Sequence, residues 1–226
     1  MIVMVSNQTS VTTGYLAGRY VGRIGNLYAP GGQRGPWSFL PYSLDNGAYS
    51  AFLAKTEWQP DAWIKLLEWA KLSGRDPLWT LVPDVVGDRL GTLRAWEKWA
   101  PVTASYGWPL AFAVQDGMVP SDVPAEASVI FVGGSTAWKW RTVSMWCENF
   151  PSVHVGRVNT YRRLWQCHDA GAKFCDGTGW MRGDQKQLRG LMTYLAESSG
   201  ERRRSVQMRI LLEDLEPTVT QKEGLR

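Results

Sequence analysis

The chain has 226 residues, 44% hydrophobic and 20% charged, which suits one large domain with a sizeable core better than two small ones. A formal charge of +4 and a pI near 9 are compatible with a polyanionic partner without requiring one, and no apolar run approaches the ~20 residues of a membrane span. Three cysteines without C-x-x-C spacing and only two histidines give no basis for a disulfide framework, a metal site or another cofactor site, and they fit a reducing cytoplasm.

In chain order, "MIVMVSNQTS" lacks the basic n-region of a signal peptide and reads as a first strand over 1–6. The segment 11–36 is irregular. Its "GYLAGRYVGRIG" has loop-like glycine spacing but no G-K-[ST] ending, so it reads as a lid over a site or as an ordinary connection. Apolar runs then predict strands at 37–44, 78–83, 110–115, 128–133, 153–158 and 172–175. Between them fall helical stripes: Trp63, Leu66, Leu67 and Ala70; Trp140, Val143, Cys147 and Phe150; Tyr161, Leu164, Trp165 and His168; Leu188, Leu191, Met192 and Leu195. Continuous apolar strands separated by amphipathic helices imply a parallel sheet covered on both faces. Seven strands are visible, and an eighth would have to lie within 11–36. The first choice is therefore an α/β fold of the TIM type, a closed (β/α)8 barrel that is complete or one strand short; an open doubly wound sheet is second. Residues 1–200 would form the single barrel domain. Residues 201–226, mixing charge with a short apolar stretch, would form a tail or terminal element. Thirteen tryptophans point to large core or subunit-interface side chains, the latter consistent with a homo-oligomer.

In a parallel barrel the C-terminal strand ends surround the active site. At or just past the ends of the apolar runs stand Asp45, Asn46 and Gly47; Asp84 and Asp88; Gln115 and Asp116; Gly133 and Gly134; Arg157 and Asn159; and Asp176. Each alone has a plain explanation as a helix cap or turn. Their joint occurrence at most of the strand ends argues for a pocket that takes a polar, flat ligand. His168 sits on a helical stripe and reads as packing; His154, at the start of a strand, is open either way.

These motifs, in this order, resemble the tRNA-guanine transglycosylase superfamily, and more closely its small phage and bacterial branch, the DNA 7-deazaguanine transglycosylases. "LDNGAYSAF" is similar to the superfamily's D-S-G-G-[FY]-Q segment and "VPDVVGD" to its base-recognising Asp segment. "AVQDG" is similar to its V-Q-G motif and "FVGGS" to its G-G turn. "VHVGRV", a helix and "FCDGTG" together resemble the L-M-G-V-G, helix, [FM]-D stretch that carries the nucleophile. The resemblance spans roughly residues 37–180. It departs in lacking the C-x-C-x-x-C…H zinc motif of the tRNA enzymes, in a single glycine after Asp45-Asn46, and in Ser50 or Ala51 where the family has Gln.

The resemblance implies a cytoplasmic enzyme, in a host cell if phage-encoded, that exchanges guanine in DNA for a free 7-deazaguanine base resembling preQ0. Asp176 would be the nucleophile and Asp45 the general acid/base. Asp84 would face the guanine N1–H and amine, Gln115 and the Gly133 and Gly134 N–H groups would meet O6 or N7, and Asn46 and Gly47 would shape the pocket. Tyr49, Phe112 or Trp180 would sandwich a flipped base. Gly177 and Gly179 would let a sugar-phosphate backbone approach. Arg157, Arg182, Lys139 and Arg141 would contact phosphates. tRNA is the less favoured substrate, because the zinc motif is missing. Hydrolysis of the N-glycosidic bond, or nucleic-acid binding without turnover, are the remaining alternatives.

Overall fold

A computed structural model describes residues 1–7, 10–32 and 34–204. Eight parallel strands close into a barrel in sequence order: β1 (Ile2–Ser6), β2 (Ile24–Tyr28), β3 (Tyr42–Leu44), β4 (Thr80–Leu81), β5 (Leu110–Val114), β6 (Val129–Val132), β7 (Val153–Val155) and β8 (Phe174–Gly177). Pairing of β1 with β8, Met4 opposite Asp176, closes the ring and rules out the open sheet. The helices are α1 (Val11–Arg19), α2 (Ala48–Ala54), α3 (Pro60–Leu72), α4 (Arg89–Ala104), α5 (Thr136–Asn149), α6 (Tyr161–Ala170) and α7 (Gln185–Ser198). Among the described residues no α-helix follows β2 or β5, where a loop and a single 3-10 turn (Pro120–Asp122) suffice, so the (β/α)8 barrel is compact.

Strand alternation sorts the core into two shells. Met4, Leu27, Trp79, Leu81, Ala111, Ala113 and Val129 fill the barrel interior, with Phe131 and Phe174 packed against them. Their neighbours Val3, Val5, Phe112, Val114, Val153, Val155 and Cys175 point outward beneath the helices. The α3 stripe is buried as its spacing predicts and packs on Tyr28, Tyr42 and Leu44. On α5 the fully buried face is Trp138, Lys139, Val143 and Trp146, rotated from the expected stripe, and on α7 Met192 is 39% exposed while Tyr194 is buried in its place.

Two strands are shorter than their apolar runs. Of 37–44 only Tyr42–Leu44 joins the sheet, and of 78–83 only Thr80–Leu81. Pro36, Pro41, Pro77 and Pro83 lack the N–H a ladder needs. Segment 11–36 is neither lid nor irregular connection, since it holds α1 and β2. In β2 the buried Asn26 carries the polar break in the pattern, its amide donating to the Val5 carbonyl and its carbonyl accepting from the Tyr28 hydroxyl. Of the segment after 200, Glu201 pairs with Arg19 at 2.7 Å and Arg204 grips Asp169 through two 2.8 Å bonds while lying over the Trp165 ring. Residues 205–226 of the expected tail lie outside the described residues.

Candidate active site

The strand C-termini surround a cavity of about 420 Å³, and most of the sequence-predicted residues meet there: Asp45, Asn46, Asp84, Gln115, Gly133, Gly134, Arg157, Asp176 and Arg182. Asp45 follows β3 directly. One of its oxygens accepts the Gly47 N–H at 2.9 Å, the Asx-turn bond expected of D-N-G, while the carboxyl faces the cavity. Burial, with the nearby Asp176 and Asp84 charges adding to it and the Gly47 N–H opposing, pushes the Asp45 pKa up to about 7.

Asp84 is held by two amides. Asn46 Nδ2 donates to Oδ1 and Gln115 Nε2 to Oδ2, each at 2.7 Å. Asn46 is itself fixed, donating to the Val82 carbonyl and accepting from Ala48 N, and Gln115 Oε1 accepts from Gly87 N at 3.0 Å. Burial raises the Asp84 pKa to about 6 against the restraining Asn46 bond. Asp84 therefore presents a pre-oriented carboxyl, with its amide partners around the edge of the plane.

Asp176, the penultimate residue of β8, points inward and is 6% exposed. Its Oδ1 accepts from His154 Nε2 at 2.8 Å and from the Arg157 N–H at 3.2 Å. Arg157 takes the left-handed conformation (φ 58°), rare for a side-chain-bearing residue, and that turn aims its N–H at Asp176. Its guanidinium lies 4.2 Å from the centroid of the Tyr49 ring, bonds the Tyr49 hydroxyl at 2.7 Å and reaches the Gly134 carbonyl at 2.6 Å. Gly134 (φ 67°) is a required glycine, since a Cβ there would come within 2.4 Å of Asp116 Oδ1.

Several expectations need correction. Lys139 is buried rather than at a phosphate: its Nζ bonds the Gly156 carbonyl, and burial, with the nearby Arg157 charge, lowers its pKa to about 8. Arg141, exposed on α5, and Gly47 lie outside the cavity lining; of the four expected phosphate contacts Arg157 and Arg182 line it. The Gly133 N–H donates to the Val114 carbonyl and is not open to a base. Gly177 and Gly179 are demanded by packing against Asn159 and Gln187, not by an approaching backbone. Of the candidate stacking rings, Phe112 packs outward on Trp96 and Trp180 is buried with its indole N–H on the Asn159 carbonyl; only Tyr49 faces the cavity. Asp88 and Asp116 take the plain roles of cap and turn, Asp88 capping α4 and Asp116 bonding Ser135.

The sequence reading missed Ser6 and Asn7, which line the cavity at the end of β1, and left His154 undecided. The signal for His154 was its position: alternation puts it between outward-facing Val153 and Val155, on the strand beside Asp176. Among the described residues no three His, Cys, Asp or Glu side chains are placed to hold a metal ion, and the three cysteines, on α5, α6 and β8, are free. No described helix is long and apolar enough to cross a membrane.

No family model and no curated protein matches the chain. Among solved structures, one described as "Native KDPGal structure" aligns over 88% of this chain and 93% of its own at 14% identity, with a TM-score of 0.47. So low an identity leaves the barrel architecture to rest on the strand pairing itself: this chain is a closed (β/α)8 barrel.

Proposed function

We propose that the protein is a DNA-guanine transglycosylase, an enzyme that exchanges a guanine in DNA for a free 7-deazaguanine base through a covalent aspartyl intermediate. One observation carries the reading: Asp45, Asp84, Gln115 and Asp176, from four separate strand ends, line one cavity. Its volume of about 420 Å³ falls within the roughly 300–1,000 Å³ typical of small-molecule sites.

The Asp176 carboxylate attacks C1′ of a flipped deoxyguanosine. The C1′–O bond forms as C1′–N9 breaks, and the electron pair passes to the guanine, which takes a proton from Asp45. A carboxyl whose pKa stands at about 7 can hold that proton near neutrality and accept it back. The incoming base then loses its N9 proton to Asp45 and attacks C1′, expelling the Asp176 carboxylate and restoring both groups. Asp84 accepts from the guanine N1–H and amine with the lone pairs that Asn46 and Gln115 leave open. O6 takes the second Gln115 N–H or the Gly134 N–H, for which no described residue supplies an acceptor. Adenine would leave these buried groups unpaired. Arg182 and the free edge of Arg157 meet the phosphates beside the extruded nucleotide.

The test is to incubate the protein with guanine-labelled DNA and preQ0, then digest and analyse nucleosides, with tRNA in a parallel arm. Guanine release matched by deazaguanine incorporation in DNA supports the reading, and Asp176→Ala abolishes it while keeping DNA binding. Abasic sites would make the protein a hydrolase. Exchange only in tRNA would move it to the other branch, and binding without exchange would refute catalysis.

A further inference from the structure

His154 has no part in the exchange steps above, yet it is fully buried and its Nε2 lies 2.8 Å from Asp176 Oδ1. Strand register explains the contact. His154 pairs with Phe174, so it faces the barrel interior one layer below Asp176 and reaches up to it. The ring is clamped: Phe131 stacks on its face at 4.6 Å and 14°, and Trp79 meets it edge-on at 4.9 Å. Gly156 keeps the clamp tight, since a Cβ there would sit 2.9 Å from the Phe131 ring and 3.5 Å from Asp176 Oδ1.

The other nitrogen, Nδ1, is buried without a hydrogen-bond partner among the described residues. A proton on Nδ1 would leave an orphaned buried N–H, a rarer arrangement in proteins than an unpaired acceptor. A proton therefore belongs on Nε2, which makes the imidazole a donor to Oδ1. A second donor reaches the same oxygen from the Gly156–Arg157 peptide, whose carbonyl end is held by the buried Lys139 ammonium and whose N–H end points at Oδ1. No hydrogen bond from a described residue reaches Oδ2.

Resting on the proposed base exchange, we infer that His154 is a positioning residue that anchors Asp176 through Oδ1 and leaves Oδ2 as the oxygen that attacks C1′. The clamp fixes the ring and the ring fixes the carboxylate plane, which leaves the unbonded oxygen for the cavity that Asp176 lines. Geometry of this kind acts on kcat rather than on substrate binding.

Two measurements test it. With only two histidines in the chain, ¹⁵N-histidine NMR resolves both rings without any activity. His154 should show a proton on Nε2 and a bare Nδ1, and Asp176→Ala should shift Nε2 alone; a proton on Nδ1, or on both nitrogens, overturns the inference. In the exchange assay, His154→Phe keeps the ring stack but loses the donor, and should lower kcat about 10- to 100-fold, the range of a hydrogen bond to a charged group, with KM for the base unchanged. His154→Gln, which restores an N–H, should return kcat to within about fivefold of the parent. Parental kcat in the Phe variant, or equal loss in both, refutes the role. If the parent protein exchanges no base, the function reading fails while the NMR arm still decides the Oδ1 anchor.

Discussion

Replacing Asp45 by Asn tests the electrostatics of the cavity without relying on catalysis. The amide keeps an oxygen for the Gly47 N–H and nearly the same shape, but removes the charge. The folded pKa of Asp45 is raised to about 7 from the ordinary 3.8, so folding favours the protonated form. The stabilising contribution of that raised pKa is complete below pH 3.8 and is lost as the pH rises through 7, where the folded state must hold a buried anion beside two more carboxyls. For this single group the loss between pH 5 and pH 8 is about 2.6 kcal/mol, an upper bound because the carboxyl opens onto the cavity. Denaturant unfolding of the parent and of Asp45→Asn at both pH values measures it. The variant should gain on the parent by about 1–2.6 kcal/mol more at pH 8 than at pH 5. Equal pH dependence in the two proteins would show that Asp45 is solvated and ordinary, and would remove the physical basis for using it as the acid at neutrality.

Arg182→Ala should lower the salt slope of DNA binding, by about 0.7–0.9 if it holds one phosphate, whereas Arg141→Ala should leave binding unchanged; a reversed ranking in a salt titration would put the nucleic acid on another face. Gly134→Ala forces a side chain into a left-handed turn and against Asp116 and Trp138, and should cost about 2–5 kcal/mol in thermal or denaturant unfolding. Asn46→Ala removes the amide that holds the Asp84 carboxyl down, so Asp84 should titrate above about 6, read by carboxyl ¹³C NMR; an unchanged midpoint would mean that Asn46 shapes only the turn.

Alternation and helical period carried most of the architecture because they report burial directly. Val153 and Val155, or Trp63 and Leu67, are apolar for the reason that they face the layer between barrel and helices. The same logic hid β2, since Gly25 and the buried Asn26 interrupt its apolar run although all five of its residues are buried. It also hid α1, which fully buries only Thr13 and Leu16. The three convergent carboxylates were legible because strand ends in a parallel barrel meet at one mouth. Lys139 was misread because sequence assigns a lysine to the surface by default. The Gly156 carbonyl that holds it lies on another strand end, beyond any local pattern. The fates of Gly133 and Phe112 depend on ladder bonds and on which face of the strand each occupies, and neither is fixed until register is known. Trp180 is buried in the 3-10 turn after β8 by a contact with Asn159 that no local pattern announces.

The three cavity aspartates differ in what surrounds them, and that difference suits the separate roles proposed for them. Asp176 receives two N–H groups on one oxygen, one of them backed by a buried ammonium, which fits the proposed nucleophile by fixing its carboxylate plane. Asp45 is buried and faces two like charges, which outweigh the backbone N–H groups it accepts and favour carrying a proton near neutrality. Asp84 is braced by two amides on a rigid turn, which suits holding a donor-rich base edge in one plane. Exchanging any two of these positions would put a proton carrier where an anion is needed or a nucleophile where its oxygens are already bonded. The proposed division of roles therefore rests on neighbours that the barrel supplies, and on the inward-facing register of β7 and β8 that sets His154 beneath Asp176.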